Sequence, residues 1–133
     1  MSHITVDLRS RTPIFEQIIS SVHELVIKGV LLPDTPLPSV RALASELAIN
    51  PNTIQKAYAE LERQGVIYSL VGRGNFIASD ISPLRDAHKN DIQKTLEKNV
   101  TLALQNGFSP EEIFCIINNS LKKQEEESSN DKN

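Results

Sequence analysis

Two helical stripes separated by three residues govern what this sequence can fold into. Val40, Leu43, Ala44 and Leu47 recur at the i, i+3, i+4, i+7 spacing of a one-sided helix, and Ile54, Ala57, Tyr58 and Leu61 repeat it. The whole connection is Ala48, Ile49 and Asn50, so the second helix must turn sharply away and both stripes must share one core. Asn50 suits an N-cap, Pro51 suits the first helical position where a missing N–H costs nothing, and Gly65 can close the helix in a left-handed conformation. Ile49 and Ile54 stand at the two positions of a hydrophobic staple. Beyond them, residues 66–71 and 75–78 are β-prone and are separated by Gly72, Arg73 and Gly74, which reads as a hairpin. Residues 38–77 thus outline a mainly α fold with a small β-hairpin wing, a winged helix-turn-helix.

The faces left outside that core point to nucleic acid. Near the start of the second helix the outward residues are Asn52, Thr53, Gln55 and Lys56, all hydrogen-bond formers with no carboxylate among them. Asn and Gln can pair bidentately with adenine, Thr can meet a base edge or the thymine methyl, and Lys can reach guanine or a phosphate. Asn50 caps this reading helix, Arg41 opens the first helix, and Arg73 stands at the hairpin tip. Gly72 lets that tip approach a phosphate or a narrow minor groove closely, although a solvated turn would have the same sequence.

Charge works against a simple electrostatic case. The formal net charge is -3 and the isoelectric point about 5.6, and residues 1–80 hold seven Lys or Arg against eight Asp or Glu. A phosphate feels the local field, however, and Arg41, Lys56 and Arg73 fall on the three segments expected to face DNA. The acidic balance keeps a second function in play, a winged-helix module for protein contact without specific DNA binding.

An enzyme is disfavoured, because 133 residues leave little room for a catalytic domain beside a winged helix. There is also no phosphate-binding glycine loop, no metal-ligand spacing and no nucleophile paired with a base. No cofactor or metal is expected, and His3, His23 and His88 are scattered. Cys115 cannot form an intrachain disulfide and is expected to pack as a small hydrophobe within Ile113, Phe114, Ile116 and Ile117. No stretch has the apolar length of a membrane helix, and the first residues lack a signal-peptide layout, so a cytoplasmic protein with no membrane partner is expected.

Upstream, Thr12 is expected to cap a helix that Pro13 starts and Gly29 ends, followed by an extended connection over 30–38. Downstream, Ser82 and Pro83 open a polar helix with a narrow seam of Leu84, Ala87, Ile92, Leu96, Val100 and Ala103, and a capping box from Ser109 to Glu112 opens a final helix. These readings divide the chain into a DNA-binding domain at 1–79, a two-helix dimerisation region at 80–123 and a disordered tail at 124–133. Two such helices cannot enclose a core. A second copy would cover Leu84, Ile92, Leu96, Val100, Ile113, Ile116 and Ile117 and present two reading helices to two half-sites of a double-stranded operator. Packing back on the chain's own first helix is the alternative.

The residues resemble the GntR family of bacterial transcription regulators. The likeness lies in Pro38-Ser39-Val40-Arg41-Ala42-Leu43-Ala44, Asn52-Thr53-Ile54-Gln55-Lys56-Ala57-Tyr58, Leu61-Glu62, Gly65-Val66-Ile67 and Gly72-Arg73-Gly74-Asn75-Phe76. Residues 7–17, with Pro13-Ile14-Phe15-Glu16-Gln17, and the brief C-terminal region look like the YtrA subfamily. The resemblance implies a homodimeric repressor of its own operon, often one with transporter genes, and leaves any small-molecule effector unnamed. It implies DNA contacts at Arg41, Asn50, Asn52, Thr53, Gln55, Lys56, Gly72 and Arg73. Gln55 stands where relatives often have Arg, and Pro33-Asp34 where they commonly have Pro-Gly.

Overall fold

The computed structural model describes residues 2–131. In chain order its elements are α1 (Ile14–Ile27), α2 (Val40–Leu47), α3 (Pro51–Arg63), β1 (Ile67–Leu70), β2 (Gly74–Ile77), α4 (Ser82–Gln105) and α5 (Pro110–Asp131). They fall into two compact units, Met1–Ala87 and His88–Asn133.

The first unit is built on the two stripes. Leu43 of α2 and Ile54, Ala57 and Leu61 of α3 are wholly inaccessible, as are Ile18, Val22 and Val26 of α1 and Ile77 of β2. Truncating one of the larger of these to alanine removes packed contacts and leaves a cavity, a loss of about 2–5 kcal/mol. The turn between the helices follows from Ala48, which takes φ 55 and ψ 48 and donates its N–H back into α2. The strands pair antiparallel with Ile67 opposite Ile77 and Leu70 opposite Gly74, leaving Val71, Gly72 and Arg73 as the tip.

α1 starts differently from the expectation. Pro13 is the N-cap with φ -54 and ψ 144, and no side chain caps the helix. Thr12 lies one residue too early to reach the free N–H groups; its carbonyl accepts from Gln17 Nε2 at 2.8 Å instead. The helix does end at Gly29, whose φ of 77 lets Val30 N–H return to the Leu25 carbonyl at 2.9 Å.

The connection after α1 lies along β2. Asp34 N–H donates to Ile77 O, Ile77 N–H to Thr35 O and Leu37 N–H to Asn75 O, at 2.8–2.9 Å. Only a single bridge forms, Pro36 to Phe76, because proline has no N–H to extend the ladder. Asp34 adopts φ 62, the left-handed conformation that glycine takes freely, and Asp is among the few other residues that tolerate it.

The boundary between units also falls later than expected. Ile81 and Leu84 pack, partly buried, against the core of the first unit. Leu84 therefore covers the winged helix, whereas the sequence had put it on a dimer seam. Its place early in α4, directly after the wing, keeps it within reach of that core.

In the second unit Gly107 turns the chain with φ 91. The capping box forms as expected: Glu112 N–H donates to Ser109 Oγ at 3.1 Å, and Ser109 N–H to Glu112 Oε1 at 3.2 Å. Val100, Ala103 and Ile113 are half-buried, while Ile92, Leu96, Ile116 and Ile117 are exposed. Cys115, expected inside an apolar run, is exposed too, since the apolar side chains here outnumber the surfaces one copy offers. α5 continues to Asp131, through most of the stretch expected to be disordered. Lys122 to Glu127 are good helix formers without Gly or Pro, so a helix already nucleated at the capping box propagates through them. Residues 132 and 133 of that expected tail lie outside the described residues.

Candidate nucleic-acid interface

Three local devices hold the helix-turn-helix in register. Ser39 caps α2, its hydroxyl accepting from Ala42 N–H at 3.1 Å. Asn50 caps α3, its Oδ1 accepting from Asn52 N–H at 2.9 Å. Tyr58, buried in α3, donates its hydroxyl to the Pro38 carbonyl at 2.8 Å and so ties the start of α2 to α3. Burial, and secondarily the charge of Glu46, push the Tyr58 pKa well above its ordinary value, so the phenol stays a neutral donor.

On α3, Asn52, Gln55 and Lys56 are exposed and Thr53 is half-buried. At 3.6 residues per turn the three exposed side chains share about 100° of arc, with Thr53 on its flank. Asn50 is exposed, but its carbonyl oxygen is committed to the cap, which leaves its Nδ2 as the group able to donate outward. Lys56 leans on α1, its Nζ lying 4.0 Å from the centroid of the Phe15 ring. That cation–π contact restricts the ammonium without neutralising it.

Arg41 is exposed on the first turn of α2, and Arg73 is exposed at the wing tip. Gly72 at φ 75 and Gly74 at φ 103 bracket Arg73 in conformations costly for other residues. Behind the tip, Tyr68 and Phe76 stack with centroids 5.6 Å apart. Tyr68 donates to Asp34 Oδ1 at 2.9 Å, and Ser79 donates to the same oxygen at 2.5 Å. Those bonds from Ser79 and Tyr68 lower the Asp34 pKa, so one carboxylate joins the interhelical connection, the wing and the exit toward α4.

The cations divide into two groups. Lys28 pairs with Glu24 and Arg63 with Glu60. Of the other described cations up to residue 80, Arg9, Arg11, Arg41, Lys56 and Arg73 form no ion pair, and those from Arg85 to Lys123 on α4 and α5 form none either. Within residues 2–80 the unpaired set lies where the sequence placed DNA contacts, except for Arg9 and Arg11. Among the described residues no group of three His, Cys, Asp and Glu could hold a metal ion, and no helix is long and apolar enough to cross a membrane.

This geometry has close counterparts. The family described as bacterial regulatory proteins, gntR family, matches residues 14–77. The transcriptional regulator YhcF of Bacillus subtilis, itself uncharacterized, is 34% identical over 106 residues, which cover 80% of this chain and 88% of YhcF. The chain belongs to the GntR family. It thus carries the DNA-binding winged helix of that family's transcription regulators. The HTH-type transcriptional repressor YtrA of Bacillus subtilis is 53% identical over 77 residues, 58% of this chain and 59% of YtrA. A transcriptional regulator from Oenococcus oeni has a TM-score of 0.79 at 32% identity, covering 87% of this chain and 97% of that one. The AraR DNA-binding domain in complex with operator ORX1 has a TM-score of 0.53 at 28% identity, covering 59% of this chain and 100% of that domain.

Within this GntR chain, sequence reasoning missed the residues that hold the readers in place. Tyr58 gave only an apolar signal, and its hydroxyl bond depends on where the fold puts Pro38. Phe15 read as one more member of an apolar stripe. Gln17 offered a visible clue, a polar residue interrupting the apolar run between Phe15 and Ile18.

Proposed function

We propose that this protein is a dimeric repressor of its own operon. Its α3 enters the major groove and its wing meets the adjacent minor groove or phosphates. The observation that carries the reading is the exposed face of Asn52, Gln55 and Lys56 on a capped helix, with unpaired Arg41 and Arg73 on the neighbouring elements. Asn52 and Gln55 read base edges, Thr53 supports them from the flank, and Asn50 donates through Nδ2. Arg41, Lys56, Arg73 and the backbone at Gly72 grip phosphates, which sets the register of the reading helix.

The second unit supplies the two-fold. Ile92, Leu96, Ile116 and Ile117 expose apolar surface in a single copy, and Val100 and Ile113 are only half-buried. Withdrawing a side chain of this size from water is worth about 1.5–3 kcal/mol. A second copy matches those faces to themselves and gives the operator two half-sites. Repression is supported by the likeness to the repressor YtrA, and operator binding by the likeness to the AraR DNA-binding domain on its operator. A cytoplasmic location follows from that role.

A footprint on the DNA flanking this protein's own gene tests the reading. The expected result is protection of two half-sites about one helical turn apart, or a multiple of that, with affinity falling steeply as salt rises. Absence of sequence-selective protection, with binding insensitive to salt, would overturn it in favour of a protein-contact module.

A further inference from the structure

The segment before α1 is held in place by one side chain. Gln17 Oε1 accepts from Asp7 N–H at 2.7 Å, while its Nε2 donates to Asp7 O at 3.1 Å and Thr12 O at 2.8 Å. Asp7 Oδ1 in turn accepts the Arg9 backbone N–H at 2.9 Å, Asp7 O accepts from Ser10 N–H at 3.2 Å, and Ser10 Oγ accepts from Thr12 N–H at 3.1 Å. Residues 7–12 are therefore a closed loop clamped at both ends by the Gln17 amide. Leu8, Arg9, Ser10 and Arg11 are all exposed on it, so the clamp does not serve to bury them.

The placement of this loop follows from two contacts. Lys56 meets Phe15, and His23 Nε2 lies 2.8 Å from Gln64 Oε1. Both pairs are 41 residues apart in sequence. α1 and α3 therefore run side by side in the same direction, and the loop preceding α1 lies at the end of the pair where the reading helix begins. Asp7 and Glu16 are the nearby carboxylates in sequence, and neither forms an ion pair with Arg9 or Arg11.

We propose that the Gln17-clamped loop is a second DNA-contacting element, in which Arg9 and Arg11 bind backbone phosphates beside the groove that α3 enters. Gln17 is a positioning residue. By ordering the loop before binding, it lowers the entropy cost of bringing two long cationic side chains to the backbone. The contacts carry no base information and add affinity on any sequence. This element compensates for the acidic balance of the chain by concentrating cations at the end of the molecule that meets DNA.

The inference rests on the proposed operator binding, and the test separates the two. Affinity for the footprinted operator is measured across a salt series for the full-length protein, Arg9→Gln/Arg11→Gln, Arg41→Ala, Arg73→Ala and Lys94→Ala. Lys94 lies on α4 away from the Ile92 and Leu96 face and serves as the charge control. Each lost phosphate contact should flatten the log–log salt slope by about 0.9, and a dimer on two half-sites loses each one twice, so the double variant should lose about 3.6 while Lys94→Ala loses nothing. Phosphate ethylation interference should disappear at two backbone positions in each half-site in the double variant, with the base-specific footprint unchanged. Gln17→Ala, checked for folding by its melting curve, should weaken binding with the slope retained, because both arginines remain. A double variant whose slope equals that of Lys94→Ala, while Arg41→Ala and Arg73→Ala flatten theirs, overturns this inference alone. Salt-insensitive binding by the parent protein overturns the operator reading and this inference with it.

Discussion

At the scale of single residues, the proposed interface separates groups that would read from groups that would grip. Arg41→Ala and Arg73→Ala are each expected to weaken binding on specific and random DNA alike and to flatten the salt slope by about 0.9 per protomer bound, about 1.8 for the dimer, as measured by fluorescence anisotropy across salt. Gln55→Ala should instead relax preference at one base position at a cost of about 1–3 kcal/mol; equal losses on operator and random DNA would remove it from the reading set. Asp34 bears on the wing rather than on DNA. A carboxyl whose folded pKa lies below its unfolded value stabilises the fold above the unfolded value, and loses that contribution as pH falls through the folded one. Hydrogen bonds from Ser79 and Tyr68 put Asp34 in this class, so its clamp holds at neutral pH and is released only in acid, as pH falls through its depressed folded value. Asn also tolerates the left-handed backbone at this position, so Asp34→Asn isolates the charge. Its melting temperature should fall below that of the parent at pH 7, and the difference should shrink in acid.

The elements were legible in unequal degree, and the reason is the strength of their local signals. α2 and α3 were readable because stripe, cap, proline and closing glycine all agree within 26 residues. The start of α1 was misread because Thr12-Pro13 fits either cap geometry, and the choice of Pro13 as N-cap goes with Gln17 drawing Thr12 into a loop. The end of α5 was misread because a polar, charged composition is common to disordered tails and to exposed helices. The capping box supplies a test of what sustains that helix. Ser109→Ala should cost about 1 kcal/mol of local stability, read as faster amide exchange in the first turn of α5 with the winged helix unaffected. Unchanged exchange there would mean that contacts other than the cap hold the helix start.

For the whole molecule, the division at Ala87 changes where a truncation should be made. A chain ending at Ala87 keeps Ile81 and Leu84 over the core, and is expected to melt cooperatively as a monomer that binds one half-site weakly. A chain ending at Asp80 loses that cover and should melt at a lower temperature. In the full chain, Leu96→Asp should shift the sedimentation coefficient from dimer to monomer without lowering the melting temperature of the winged helix. A dimer that persists in the Ala87 truncation would place the two-fold in the first unit and overturn the assembly.

The sequence by itself determined the winged helix-turn-helix, the polar face from Asn52 to Lys56 and the arginine at the wing tip. All of these depend on periodicity and on caps that act within a few residues. Tertiary structure alone decided that Leu84 covers the first core, that Tyr58 fastens α2 to α3, that Asp34 joins three segments, and that Lys56 rests on Phe15. The contacts of Tyr58, Asp34 and Lys56 each join residues at least 20 positions apart. No local propensity encodes such pairings. They arise only when the shared hydrophobic core has brought the segments together.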